Sequence, residues 1–438
     1  MIKLMTVSSI ALALAMSLGA ASWADDDAVS TGDAWRADAD AFMAVLEAKH
    51  DNPFFFTPEP EYRAALAAYK RDVDTMNRAQ RIAGLAHLAA LVGDGHTWMP
   101  MYDLPFDGLP PGPGFRSLPV RFELFEDGLF IVGASPEHGV LVGNRVTEVG
   151  DTPVAEALST ILTLLPNDAT SFASEFAAEW LMQADLLAAM GLSEGTETVS
   201  LGLARDGSSS RVDLSPLPAD ARYDWVFSMD TGPSNINGWT TATSTAPAWQ
   251  AAVNGMWRIE SRGDAAYLQI ISIGNDDPQT YALMAQEAVD LALQSENPRL
   301  VIDLRRCLGG DGTLNVELLS AITSATALNQ PGRIAVLTSR QTHSAAIMLV
   351  SDLEQQTPAR FFGQPTADRP NHYGETNIFI TPNSHLPIIH ASEYYQTSTP
   401  DDDRRHRKPD VAIPYLFSDY IAGRDPVLDA ALLSMNGE

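Results

Sequence analysis

The chain has 438 residues, 45% of them hydrophobic and 19% charged, the composition of a folded globular protein with length for two or three domains of roughly 150 residues. With 28 basic against 56 acidic residues its formal net charge is −28, and such a surface repels nucleic acid and anionic lipid, which excludes both as partners. A lone cysteine, Cys307, excludes an internal disulfide, so stability has to come from packing.

The first two dozen residues have the pattern of a secretory signal. Lys3 precedes an apolar run from Ile10 to Ala21, and the small residues Ser22 and Ala24 precede Asp25-Asp26-Asp27. The run is short for a membrane span, so residues 1–24 are expected to be removed and the protein to be periplasmic or secreted. A helical domain is predicted over 25–103, because Trp35, Phe42, Val45 and Leu46, then Tyr62, Leu66 and Tyr69, then Ile82, Leu85 and Leu88 recur at helical spacing. It closes on Gly93-Asp94-Gly95-His96-Thr97. The glycine- and proline-rich residues 104–114 read as a linker or flap.

Strand character follows at 120–125, at 128–132 and at 143–154, the last running through Gly150-Asp151 into a helix. A strand, a Gly-Asp turn and a helix resemble the middle of a PDZ module over 115–165, although the glycine-hydrophobic-glycine loop that would hold a peptide carboxylate is not recognisable. Residues 166–255 predict a helix over 171–190, a hairpin turning at Asp206-Gly207, and a Thr- and Ser-rich surface loop at 230–247. From 256 to 438, strands at 266–271, 300–304 and 333–337 alternate with helices at 277–294, 314–323 and 344–354, which predicts a βαβ sheet. The expected fold class is therefore multi-domain α/β: helical front, β-rich middle, and a C-terminal α/β domain.

Chemistry in an open α/β sheet collects beyond the carboxyl ends of strands. Two turns meet that condition, Gly309-Gly310 after the 300–304 strand and Thr342-His343-Ser344-Ala345-Ala346 after the 333–337 strand. Glycine-turn amides can hold an oxyanion while a serine at a helix start attacks a carbonyl, the layout of a serine hydrolase.

In order and spacing these segments resemble the tail-specific, C-terminal-processing family of serine peptidases: Gly-Asp-Gly-His-Thr in front, a PDZ-like middle, then Asp303-Leu304-Arg305, Gly309-Gly310, Thr342 with Ser344-Ala345-Ala346, and Gly363 with Pro365-Thr366. The resemblance implies a C-terminal domain of the ClpP/crotonase-like kind, Ser344 as nucleophile, and amides of Gly309, Gly310 and Ala345 around the oxyanion. Cys307 stands where the family usually has asparagine. Many members use a lysine downstream of the serine as base, but the corresponding phrase here ends in Arg369, which stays protonated and cannot accept a proton.

A branch similar to the tricorn and chlamydial proteases takes its base from a histidine in the N-terminal region, and His96 matches that position. His372 is a competitor that could enter from a loop, whereas His343 adjoins Ser344 and diverges from it by ~100° at a helix start. For the carboxylate that orients the imidazole, the family's acidic position falls at Asp403 or Asp402, with Glu375 as a substitute.

No metal or organic cofactor is expected, since no His and Cys cluster has ligand spacing along the chain. The substrate implied is a peptide or unfolded protein, and an oligomer is left open. The alternative function is non-catalytic binding of a peptide or hydrophobic ligand on the same scaffold, because interphotoreceptor retinoid-binding modules also resemble this family.

Overall fold

The computed structural model describes residues 31–102, 109–166, 170–218, 238–243, 245, 247–251, 253–275 and 280–436. The predicted signal segment and parts of the 104–114 and 230–247 segments lie outside the described residues. Helices α1 (Gly32–Lys49), α2 (Glu59–Asp72) and α3 (Arg78–Ala90) form the front. Thr31 caps α1, and Asn77 with Gln80 makes a reciprocal capping box at α3, so both starts are written in the sequence. The stripe expected to be apolar is the buried one, from Trp35 through Tyr62 to Leu88, with Val45 half-buried at its edge.

The middle is one antiparallel sheet. It contains β1 (Val120–Phe125), β2 (Gly128–Ala134), β3 (Arg145–Val149), the short β4 (Thr152–Pro153), β5 (Val199–Arg205), β6 (Ser208–Leu214) and β7 (Thr240–Thr241), in the order β1-β2-β3-β5-β6 with β4 on β3 and β7 on β2. Because β5 pairs with β3, the hairpin after residue 198 continues the sheet begun at Val120. Asp206 and Gly207 both have positive φ, 49° and 78°, as a two-residue hairpin turn requires.

Between β4 and β5 lie α4 (Val154–Leu162), α5 (Thr170–Trp180) and α6 (Ala184–Ala189). The helix predicted over 171–190 is thus two helices. Its backbone leaves the helix at Met182 and Gln183 because it pairs there with Ser117 and Leu118.

The rear domain has the predicted alternation: β8 (Trp257–Arg262), β9 (Ala265–Ile270), α7 (Tyr281–Leu293), β10 (Leu300–Asp303), α8 (Asn315–Ser324), β11 (Ile334–Thr338), α9 (Ala345–Gln356) and β12 (Arg360–Gly363). Four further strands follow, β13 (His372–Gly374), β14 (Asn377–Ile380), β15 (Pro387–His390) and β16 (Glu393–Tyr395), before β17 (Val411–Ala412), α10 (Phe417–Ile421) and α11 (Pro426–Met435). The sheet order is β17-β12-β11-β10-β9-β8, parallel except for β8. Leu300, Ile302, Ile334 and Val336 pack beneath α7 to α9, while Val301, Ala335, Leu337 and Phe362 pack beneath α11. Burial on both faces explains the unbroken apolar runs of β10 and β11, at roughly 1.5–3 kcal/mol for each large side chain removed from water.

The β14–β15 hairpin leaves this domain and enters the front core. Leu386, Ile388 and Ile389 lie in the same cluster as Trp35, Phe42 and Leu85. Trp98 and Ile389 exchange both backbone hydrogen bonds, at 3.0 and 2.9 Å. The fully buried carboxylate of Asp38 accepts the amides of Asn383 and Ser384 at 2.8 Å each, a charge-assisted clamp on the hairpin turn. These contacts fix the segment after Gly95 against the rear domain, although almost 300 residues separate Trp98 from Ile389 along the chain.

Candidate active site

Ser344 sits at the N-cap of α9 with φ 56° and ψ −126°, a conformation that a β-carbon disfavours. The turn that enforces it hangs from the loop leaving β10. The Ser339 hydroxyl donates to the Arg305 carbonyl at 2.6 Å, the Thr342 hydroxyl to Leu304 at 2.9 Å, and the His343 amide to Cys307 at 3.0 Å. A sharp strand-to-helix turn presents the nucleophile in α/β-hydrolases. Ser344 is half-buried.

The glycine turn touches the serine directly. A β-carbon added to Gly309, whose φ is 108°, would come within 2.6 Å of the Ser344 Cβ and 2.9 Å of the Ala345 nitrogen, so only glycine fits. A β-carbon on Gly310, at φ 132°, would collide with the Ile273 carbonyl oxygen, and the Ile273 amide donates to the Gly309 carbonyl at 2.8 Å. Ala345 is the first residue of α9, and its amide has no acceptor within the helix. The Gly309 backbone lies within reach of the Cys307 sulfur, and burial pushes that thiol up to about 12. Cys307 is thereby an inert filler of the loop.

His96 arrives from the front of the chain and is 3% exposed. Its ring stacks on that of His343, centroids 4.3 Å apart at 27°, and on that of His372 at 5.7 Å and 16°. Neither of its ring nitrogens makes a well-formed hydrogen bond, although the Tyr373 backbone lies close enough to favour the protonated form slightly. Burial, and after it the two neighbouring imidazoles, holds His96 well below the ordinary histidine range, so the ring is neutral. Burial likewise lowers His372, whose Nδ1 donates to the Pro370 carbonyl at 3.0 Å.

The loop that delivers His96 is held by Asp94. The Asp94 carboxylate accepts the His96 amide at 2.9 Å and faces His50 Nε2 at 3.1 Å, both side chains being buried. Because the Asn52 amide donates to His50 Nδ1, the His50 proton sits on Nε2 and points at Asp94.

The carboxylate that the fold brings to the histidines is Asp368. It is 2% exposed, accepts the Ser344 amide at 2.9 Å, and lies 3.2 Å from His343 Nε2. One nitrogen of His96, one of His343 and one oxygen of Asp368 all lie within 4.8 Å of one another. The three residues expected to supply this carboxylate are engaged elsewhere: Glu375 accepts the Tyr395 hydroxyl at 2.9 Å, Asp402 is paired with Arg404, and exposed Asp403 lines a cleft of about 170 Å³ with Phe55, Arg369, Tyr373 and Tyr394. Arg369 turns into that cleft and lies over the Phe56 ring at 5.1 Å. The signal for Asp368 was its place in Pro365-Thr366-Ala367-Asp368, where the Thr366 hydroxyl donates to the Asp368 carbonyl and the Ala367 amide to the Thr342 carbonyl, pinning the loop to the serine turn.

Asp303-Leu304-Arg305 has a structural task. Arg305 forms a buried double ion pair with Asp303 and Asp425 and lies over the Trp249 ring at 4.6 Å, while the Tyr267 hydroxyl donates to Asp303 at 2.7 Å. That network anchors the loop from which the serine turn hangs.

This architecture is the multi-domain α/β fold of the tail-specific, C-terminal-processing peptidases, as the order of the motifs implied. Mature CPAF matches it over 93% of this chain and 98% of its own, with TM-score 0.63 and 14% identity. Mature CPAF complexed with lactacystin matches over 93% and 99%, with TM-score 0.62 and 13% identity. The photosystem II D1 C-terminal processing protease aligns over 87% and 93%, with TM-score 0.38 and 13% identity. No protein-family model matches the chain, and no curated protein matches it in sequence.

Proposed function

We propose that this chain is an exported serine endopeptidase acting on peptides or unfolded protein, periplasmic or secreted by virtue of its N-terminal signal pattern. The observation that carries the reading is the strained backbone of Ser344 at a helix start, pressed against a glycine turn, with a buried imidazole from the other end of the chain stacked on the ring of the preceding residue, His343. The Ser344 Oγ attacks the peptide carbonyl while His96 takes its proton, then His96 returns that proton to the leaving amine. Water repeats the sequence on the acyl-enzyme. Amides at Gly309, Gly310 and Ala345 receive the oxyanion, helped by the positive end of α9.

Asp368 replaces Asp403 as the carboxylate of this scheme. Its position against the Ser344 amide and beside the histidines suits it to hold the turn and to offset the charge that forms on His96. Arg369 cannot act as base, and its place over Phe56 in the cleft gives it a role in shaping that wall.

The test combines hydrolysis of an unfolded protein substrate with labelling by a fluorophosphonate. Labelling of Ser344 and loss of both signals in Ser344→Ala are expected. An unlabelled serine in a folded chain that retains an apolar ligand would support the binding protein instead.

A further inference from the structure

We propose that His96, His343 and Asp368 form a binding site for one divalent transition-metal ion of the zinc class, and that the ion holds the hydrolase off. Two imidazoles and a carboxylate are a donor set that zinc accepts, and three protein ligands leave a fourth position open. The three donor atoms lie within 4.8 Å of one another and come from residues that are all buried. Bonds of ~2.0 Å at tetrahedral angles put neighbouring donors ~3.3 Å apart. His343 Nε2 and Asp368 Oδ2 stand at 3.2 Å, already that edge. Because the His96 ring is stacked on that of His343, binding has to swing it out of the stack as well as inward, so that its in-plane lone pair meets the ion.

The hydrogen bonding at the site asks for a cation. His343 Nδ1 faces the Leu308 carbonyl at 3.4 Å and Nε2 faces the Asp368 carboxylate at 3.2 Å; both partners can only accept, and a neutral ring has one proton for the two. With that proton on Nδ1, the lone pair on Nε2 points toward a carboxylate oxygen. Two acceptors at 3.2 Å repel unless a proton or a metal lies between them. His96, nine-tenths buried or more and with no well-formed hydrogen bond at either ring nitrogen, supplies a further lone pair. The outer contacts that orient metal ligands are also present, since Asp368 accepts the Ser344 amide and His343 leans on Leu308.

The consequence for activity rests on the reading of His96 as the general base. An imidazole whose lone pair is donated to a metal cannot take the serine proton, so metal occupancy and catalysis exclude one another. A cell envelope carrying free zinc would then keep the peptidase silent until the ion is removed.

The experiment titrates the chelator-treated full chain with cobalt(II) and reads the visible absorption of a tetrahedral site, then displaces cobalt with zinc. One ion per chain is expected. His343→Ala should weaken binding by more than the ~10–100-fold typical of losing an outer-sphere partner, while Ser344→Ala should bind as the wild type does. Absence of stoichiometric binding to the wild type overturns the site, because a proton alone would then be reconciling His343 with Asp368. Unchanged binding in a His343→Ala chain of native circular dichroism also overturns it. In the same preparations zinc should suppress fluorophosphonate labelling of Ser344 and a chelator should restore it. Cobalt binding with labelling unaffected by zinc overturns the inhibitory half. Cobalt binding with no labelling in the metal-free chain leaves the metal site standing and removes the hydrolase reading.

Discussion

The imidazole of His96 lies face to face with that of His343, the residue before Ser344, with ring centroids 4.3 Å apart. A residue of the helical front end is thereby in contact with a turn of the rear sheet, and the Trp98–Ile389 pairing is what holds it there. His96→Ala should lower kcat by ~10²–10⁴-fold with KM little changed, the loss expected of a general base. His372→Ala, at 5.7 Å and bound through Nδ1 to Pro370, should cost far less. Single-turnover acylation rates of the two variants decide between them, and a larger loss for His372→Ala would transfer the role.

Gly309 is the position where a single methyl group should do most harm. The added β-carbon meets the Ser344 Cβ at 2.6 Å and the residue is at φ 108°, so Gly309→Ala must displace Ser344 or twist its own backbone. A destabilisation of ~1–3 kcal/mol is expected from the strain, together with a ~10²–10³-fold fall in kcat if the oxyanion amides are moved. Thermal melting and fluorophosphonate labelling rate measure the two effects separately. A variant with native labelling would show that the turn does not serve the serine.

Much of this site could be read from the chain and part of it could not, for reasons visible in particular residues. Ser344, Gly309 and Gly310 follow strands whose apolar runs are continuous, and local pattern suffices to place a turn after a buried strand. The hairpin at Asp206-Gly207 and the capped helices are local in the same way. Asp368 is not local. It is selected by a hydrogen bond to a turn 24 residues earlier in the chain, and its residue type alone does not set it apart from the acids at 401–403.

The metal-competent cluster was invisible for the same reason. His96, His343 and Asp368 have no ligand spacing along the chain, and they meet where the β14–β15 hairpin packs the front core against the rear domain. Side-chain divergence at a helix start gave no sign that the His343 ring would turn to His96 and Asp368.

Arg305 should prove to be the stability residue of the loop leaving β10. Its guanidinium is 3% exposed and shared between Asp303 and Asp425, with bonds of 2.6–3.1 Å to the two carboxylates. Arg305→Met keeps much of the apolar stem but leaves buried Asp303 and half-buried Asp425 without their counter-charge, and should cost ~3–5 kcal/mol. Urea denaturation gives the value. A loss below about 1 kcal/mol would mean that the acids relax to water and that the network is not what anchors the serine turn.

Glu179 predicts how stability depends on pH. Its Oε2 is sequestered without a hydrogen-bond partner, and burial, opposed by Arg121 and reinforced by Glu175 and Glu123, pushes its carboxyl up to about 8. In the unfolded chain the same group titrates near ~4.3. Between those values the folded state keeps a proton that the unfolded state has released, so this group's contribution to stability falls as pH rises from ~4.5 to about 8 and is level above that. Glu179→Gln removes the ionisation while keeping the shape. The variant should match the wild type near pH 5 and exceed it at pH 9 by on the order of a few kcal/mol, read as a difference in melting temperature that opens across that window. Parallel curves for the two proteins would show that the carboxylate is hydrated at high pH and that the site opens to water.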